Sequence, residues 1–178
     1  MKYCIIATVA IISVALAQTT CRWVSSGTDP ENPMSATFDL SPLAGIDYRV
    51  VDHLSYIESR NLSYVFQICG TVNTIPTPGG TTIPCYGEEG EAVHYPAYQV
   101  SNTGDLCRRL GLDATSDNVR WSLVDSSDPT VGVVYSYING DDRDGCPSPR
   151  SLVIELDCVD DAYNLPDEEL VIENSCEY

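Results

Sequence analysis

The chain has 178 residues, with 26 Asp+Glu against 9 Lys+Arg and a formal net charge of -17. That length supports one domain with a real hydrophobic core. The charge excludes two partner classes, because a nucleic acid calls for a basic patch and an anionic lipid surface calls for a polybasic one.

Lys2 supplies a positive end. An apolar region begins at Cys4-Ile5-Ile6-Ala7-Thr8-Val9-Ala10-Ile11-Ile12 and runs on to Leu16, and Ala15-Leu16-Ala17 is a small-residue cleavage site. This is the pattern of a secretory signal peptide over residues 1–17, with a mature chain from Gln18. The apolar run falls short of the roughly 20 residues a spanning helix needs, and no second long run follows, so no transmembrane segment is expected. Cleavage removes Cys4 and leaves Cys21, Cys69, Cys85, Cys107, Cys146, Cys158 and Cys176. In a secreted chain such cysteines form disulfides, and their odd number leaves at least one unpaired or joined to another chain. C-x-x-C and H-x-x-x-H spacings are absent and His53 and His94 stand far apart, which argues against a structural zinc site. Asn61-Leu62-Ser63 is the one N-glycosylation sequon.

Taken in order, Cys21–Met34 is polar, contains Pro and Gly, and reads as a loop. Thr37–Leu43 is a short apolar-polar alternation closed by Pro42, and Tyr48–Val51 is a candidate strand. Ser63–Cys69 is a stronger one, rich in aromatic and β-branched residues and ended by Gly70. Thr74–Pro84 holds three prolines and two glycines and is a loop, and Glu88–Glu91 is an acidic, solvated stretch. Tyr95–Val100 is a short strand. Asp105–Leu110 is predicted as one helical turn before Gly111. Val119–Val124 and Val131–Ile138 alternate, with the turn-rich Asp125–Thr130 between them. In Ser151–Cys158, Leu152, Ile154, Leu156 and Cys158 fall on one face and Ser151, Val153, Glu155 and Asp157 on the other, the period of a half-buried strand. Asp160–Glu169 is an acidic loop, followed by the apolar Leu170–Ile172. Short strands, turn clusters and little helical periodicity predict an all-β sandwich or barrel. Trp23 and Trp121 are candidates for stacking on a ligand, but Trp121 lies in an alternating strand and is expected to pack in the core.

No catalytic constellation is present: neither histidine sits beside a nucleophile in a motif, and carboxylate pairs arise by chance among so many acids. The chain is therefore not read as an enzyme. Asn139–Gly145 has the composition of a calcium loop, but Arg143 occupies an expected ligand position and no glutamate closes it, so a solvated hairpin loop is expected there.

Gln99, Arg150, Glu173 and Tyr178 form a different kind of set. Planar polar side chains of these types bind neighbouring sugar hydroxyls in pairs, the amide and guanidinium donating and the carboxylate accepting. Their order and surroundings resemble the mannose 6-phosphate receptor homology domain, a lectin module. The likeness rests on Phe38-Asp39-Leu40-Ser41-Pro42-Leu43, Tyr64–Gly70 and Ala97-Tyr98-Gln99. It continues through Tyr137-Ile138-Asn139-Gly140-Asp141 with Cys146, Arg150-Ser151 and Ile154–Cys158, and closes on Glu173–Tyr178.

The resemblance implies a flattened β-barrel or sandwich of two antiparallel, disulfide-bonded sheets over residues 18–178. Gln99 and Arg150 would contact the mannose 2-hydroxyl, and Glu173 and Tyr178 the 3- and 4-hydroxyls. Glu173 and Tyr178 are five residues apart and share a pocket only if the chain bends between them. The family often has a cysteine where Tyr98 stands here, so Cys85 is expected to pair with Cys107. Family pairing also implies Cys21–Cys69 and Cys146–Cys176. The family's final strand and last cysteine would follow Tyr178, so the domain is expected to lack that strand, to expose an edge, and to leave Cys158 unpaired. Loop Gly140–Gly145, with Asp141, Asp142 and Arg143, would adjoin a phosphate. Its three acids repel one unless a cation intervenes, so a divalent cation near 140–145 is the one cofactor contemplated. The implied function is recognition of mannose or mannose 6-phosphate on N-glycans of glycoproteins such as lysosomal hydrolases, for sorting or quality control. The setting would be the secretory-pathway lumen (ER, Golgi or endosome/lysosome) or the exterior. The alternative is a disulfide-rich extracellular protein-interaction domain that binds no sugar.

Overall fold

A computed structural model describes residues 21–26, 35–52, 61–77, 85, 93–101, 106–142 and 146–158. The leader, Arg143, Cys176, Glu173 and Tyr178 lie outside the described residues. Within them the chain is all-β. Nine strands are formed: β1 (Arg22–Ser26), β2 (Ser35–Asp39), β3 (Asp47–Val51), β4 (Leu62–Gln67), β5 (Ala97–Ser101), β6 (Cys107–Arg109), β7 (Val119–Leu123), β8 (Gly132–Tyr137) and β9 (Leu152–Asp157). A 3-10 turn, Ser41–Leu43, follows β2 and carries Pro42 in its first turn, where a missing N–H leaves no bond unmade. No helix among the described residues is long and apolar enough to cross a membrane.

The strands pair antiparallel in three sheets: the ribbon β1-β2, the four-stranded β3-β4-β5-β6 and the three-stranded β7-β8-β9. A sandwich is the right description, with three sheets rather than two and no closure into a barrel among the described strands. The main core lies between the two larger sheets. It takes Val50 from β3, Tyr64 and Phe66 from β4, Ala97 from β5, Val119 from β7, Val133, Tyr135 and Tyr137 from β8, and Leu152 from β9. The ribbon closes one side, where Trp23 stacks on Phe38 and on Trp121 at centroid distances of 5.8 and 6.0 Å. Trp121 also meets Tyr135 edge-on, so both tryptophans pack on the core.

A second, smaller cluster of Val72, Cys85, Tyr95, Tyr98 and Val100 covers the opposite face of the four-stranded sheet. That sheet is therefore buried on both faces, and all five residues of β5 are buried. Alternation along β5 sends Ala97 and Gln99 inward and Tyr98 outward, into the second cluster.

Two predicted elements are corrected. Cys21–Met34 was expected to be a loop, but Arg22–Ser26 is a strand because its five residues pair in register with Ser35–Asp39. Asp105–Leu110 was expected to turn as a helix, but Cys107–Arg109 is drawn onto the edge of the sheet by pairing with Tyr98–Val100. Tertiary pairing overrides local preference in both cases.

The disulfides Cys21–Cys69 and Cys85–Cys107 are formed, with Cα–Cα distances of 5.0 and 5.8 Å. The first ties the start of β1 to the chain just past β4, and the second pins the covering segment to β6. Cys146 is disulfide-bonded, and so is Cys158, which was expected to be unpaired. The expectation followed from the family pairing, which gives Cys158 a partner beyond Tyr178, and the bond made here is a different one.

Candidate functional site

The four-stranded sheet sets one row of residues across its inner face. Val50, Tyr64, Gln99 and Arg108 stand opposite one another in turn on β3, β4, β5 and β6, and directly opposed residues present their side chains to the same side. Gln99 is 1 % exposed. Its Nε2 donates to the Tyr64 hydroxyl at 3.2 Å, while Oε1 is buried and no hydrogen bond reaches it. A buried amide end left without a bond costs about 1–3 kcal/mol.

Arg150 is 2 % exposed, the largest of the fully buried side chains. It comes from the segment just before β9, and that segment is held by backbone bonds. Gly140 N–H donates to Arg150 O at 2.8 Å, Arg150 N–H donates to Asp141 O at 2.9 Å, and Asp141 N–H donates to Arg109 O at 3.0 Å. The Arg150 Nη1 also donates to Asp141 O, at 3.3 Å. The loop bearing Arg150 is thus stitched to Arg109, one residue along from the Arg108 that faces Gln99.

The Asp141 side chain completes this join. Its Oδ2 accepts from the Arg109 backbone N–H at 2.8 Å and its Oδ1 accepts from Arg109 Nε at 2.5 Å. The pair is largely enclosed, with side-chain exposures of 15 % for Arg109 and 20 % for Asp141. The Arg109 guanidinium lies over the Tyr95 ring, 4.8 Å from its centroid, and Nη1 donates to the Tyr95 hydroxyl at 3.3 Å. Burial alone would lower the Arg109 pKa, but the bond and charge of Asp141 outweigh it, and the net shift is upward. Arg109 therefore stays ionised throughout the physiological range.

Gln99 and Arg150 are thus each buried and polar, and the loop that bears Arg150 is joined to β6, the strand paired with β5. Asp141 is engaged by Arg109, and Asp142 is exposed beside it. Among the described residues no group of three or more His, Cys, Asp or Glu gathers to hold a metal. Asn61 begins the approach to β4 in the left-handed region, at φ 49°, and the Ser63 hydroxyl of its sequon accepts from Arg49 Nη2 at 3.3 Å.

Sequence reasoning missed Tyr64 and the Arg109–Asp141 pair. Tyr64 reads as one more aromatic in a strand, and only the β4-β5 register, joining residues 35 apart, sets its hydroxyl on Gln99. Arg109 and Asp141 are 32 residues apart, with no local pattern to link them. No protein-family model matches the chain, and no curated protein matches it.

Proposed function

We propose that this chain is a lectin domain of the secretory pathway, similar to the mannose 6-phosphate receptor homology domain, which binds mannose or mannose 6-phosphate on N-glycans and performs no chemistry. The observation that carries this reading is the half-bonded carboxamide of Gln99. An amide fixed at one end by Tyr64 and unbonded at the other is preorganised for a hydroxyl. Arg150, whose guanidinium is also buried, carries further donors. On the resemblance, these two groups read the 2-hydroxyl of mannose, while Glu173 and Tyr178 take its 3- and 4-hydroxyls. The two disulfides suit an oxidising compartment, as a role in glycoprotein sorting or quality control requires.

The test is a titration of the full chain, secreted from a eukaryotic host, with methyl mannoside, mannose 6-phosphate and galactose. Saturable binding of a mannosyl ligand but not of galactose is expected. In Gln99→Met, which replaces the amide with an apolar side chain of similar length, binding is lost. Stability should change by no more than about 1 kcal/mol, because one unbonded buried group disappears along with one bond. A folded wild-type chain that binds neither mannosyl ligand overturns the lectin reading in favour of a protein-interaction domain.

A further inference from the structure

Asp141 was expected to belong to a loop that meets a phosphate or a cation, but its carboxylate is spent inside the protein. Both oxygens are bonded to Arg109, one through the backbone N–H and one through Nε. Its own N–H and C=O are committed as well, to Arg109 O and to the Arg150 backbone and guanidinium. One residue thus links the β6 edge to the segment that carries Arg150. Arg109 is fixed in turn by the Tyr95 ring and hydroxyl, and Tyr95 belongs to the cluster on the outer face of the sheet. The neighbouring Gly140 permits the close approach. A Cβ there would lie 2.4 Å from Arg109 O and 2.8 Å from Arg150 O.

We propose that Arg109 and Asp141 are positioning residues of the sugar site. Their enclosed, doubly bonded ion pair sets where the Arg150 guanidinium stands relative to Gln99. This rests on the lectin reading for its ligand, but the geometry it asserts exists without one. The pair itself touches no sugar. It acts by holding two successive backbone bonds, Gly140 N–H to Arg150 O and Arg150 N–H to Asp141 O, which fix the Arg150 backbone against β6. An arginine whose backbone is fixed places its planar donor fork with little entropy left to lose on binding.

The experiment is amide hydrogen exchange and methyl mannoside titration on the full chain, comparing wild type, Asp141→Asn, Arg150→Lys and the double variant. In Asp141→Asn, exchange at the Gly140 and Arg150 amides should quicken by about tenfold or more and the mannoside Kd should weaken by about tenfold. In the Arg150→Lys background, Asp141→Asn should weaken binding by no more than about twofold further, because the guanidinium it positions is gone. Its effect on the melting temperature should be the same in both backgrounds. A merely structural pair would weaken binding equally in both, and that result overturns the proposal. So does an Asp141→Asn protein whose Gly140 and Arg150 amides exchange at the wild-type rate. Should Asp141→Asn fail to fold, Arg109→Lys takes its place, since it keeps the charge and loses the Nε bond and the planar stacking on Tyr95. If wild type binds no mannosyl sugar, the lectin reading fails alone, and the exchange rates decide whether the pair holds Arg150.

Discussion

Residue by residue, the polar groups inside this sandwich divide into those that are satisfied and those held ready. Tyr98 belongs to the first kind. Its hydroxyl donates to Val93 O at 2.7 Å and accepts from Tyr95 N–H at 3.0 Å. Burial pushes its pKa up from 10.0 to about 12, against the opposing backbone bond from Tyr95. Burial raises Tyr137 and Tyr135 as well. The sign of the consequence is fixed. An unfolded chain ionises these tyrosines near pH 10 while the folded one keeps its protons, so the unfolded state gains as pH rises. Stability is complete below pH 10 and is lost as pH climbs through the folded values. Absorbance at 295 nm, followed alongside circular dichroism, should show the buried tyrosines ionising together with unfolding; ionisation of all eleven tyrosines near pH 10 in a folded chain would contradict their burial. At this scale the sequence was partly legible. The amide at Gln99 and the guanidinium at Arg150 stood out as polar groups beside strand residues. The Tyr64 and Asp141 partnerships did not, because each depends on a register between distant strands or loops.

At the scale of elements, the pattern of apolar, aromatic and β-branched residues located β3, β4, β5, β7, β8 and β9 to within a residue or two, by alternation in β7, β8 and β9 and by strand-forming composition in the sheet buried on both faces. It failed at β1 and β6. β6 is three residues long, all of them half-buried, too short for a period to register, and its strand character comes from pairing with β5. β1 was hidden by the Gly- and Pro-containing stretch that follows it. The join between β6 and the Arg150 segment was equally invisible, and Gly140 is its most exposed weakness to mutation. In Gly140→Ala the new methyl meets Arg109 O, Arg150 O and the Leu110 carbonyl carbon at 2.4–2.8 Å. These are backbone atoms that cannot swing aside. One side of the join must move, at an expected cost of about 1–3 kcal/mol, measured as a lower urea midpoint. Arg150 would be displaced along with it, so mannoside binding should fall by more than the loss of stability explains. Wild-type stability and binding in Gly140→Ala would show that the two segments are not in contact.

At the largest scale the described residues form three sheets fastened across their faces, and the two described disulfides fasten different layers. Cys21–Cys69 closes 48 residues and ties the ribbon to the four-stranded sheet at the main core, where both cysteines pack. Cys85–Cys107 closes 22 residues and ties the outer cover down. Cysteine count and secretion predicted that bonds exist, and the resemblance supplied the pairing. How the sheets divide could not be read, because alternation says which face is buried and nothing about what buries it. The layering makes the two bonds unequal. By chain entropy the longer loop is worth about 4 kcal/mol and the shorter about 3. Cys21→Ser with Cys69→Ser also loosens the ribbon that seals Trp23 against Trp121. That pair of substitutions should therefore lower the global urea midpoint the more. Cys85→Ser with Cys107→Ser should act locally first. Exchange should quicken at the Val72 amide, bonded to Tyr95 O, while the amides of β8, in the centre of the three-stranded sheet, stay protected. Through Tyr95 the loosened cover also releases one face of Arg109, so sugar binding should weaken in this variant before global stability does. The reverse order, with the cover's loss unfolding the core and the ribbon's loss sparing it, would mean that the four-stranded sheet draws its stability from its outer face and not from the sandwich interior.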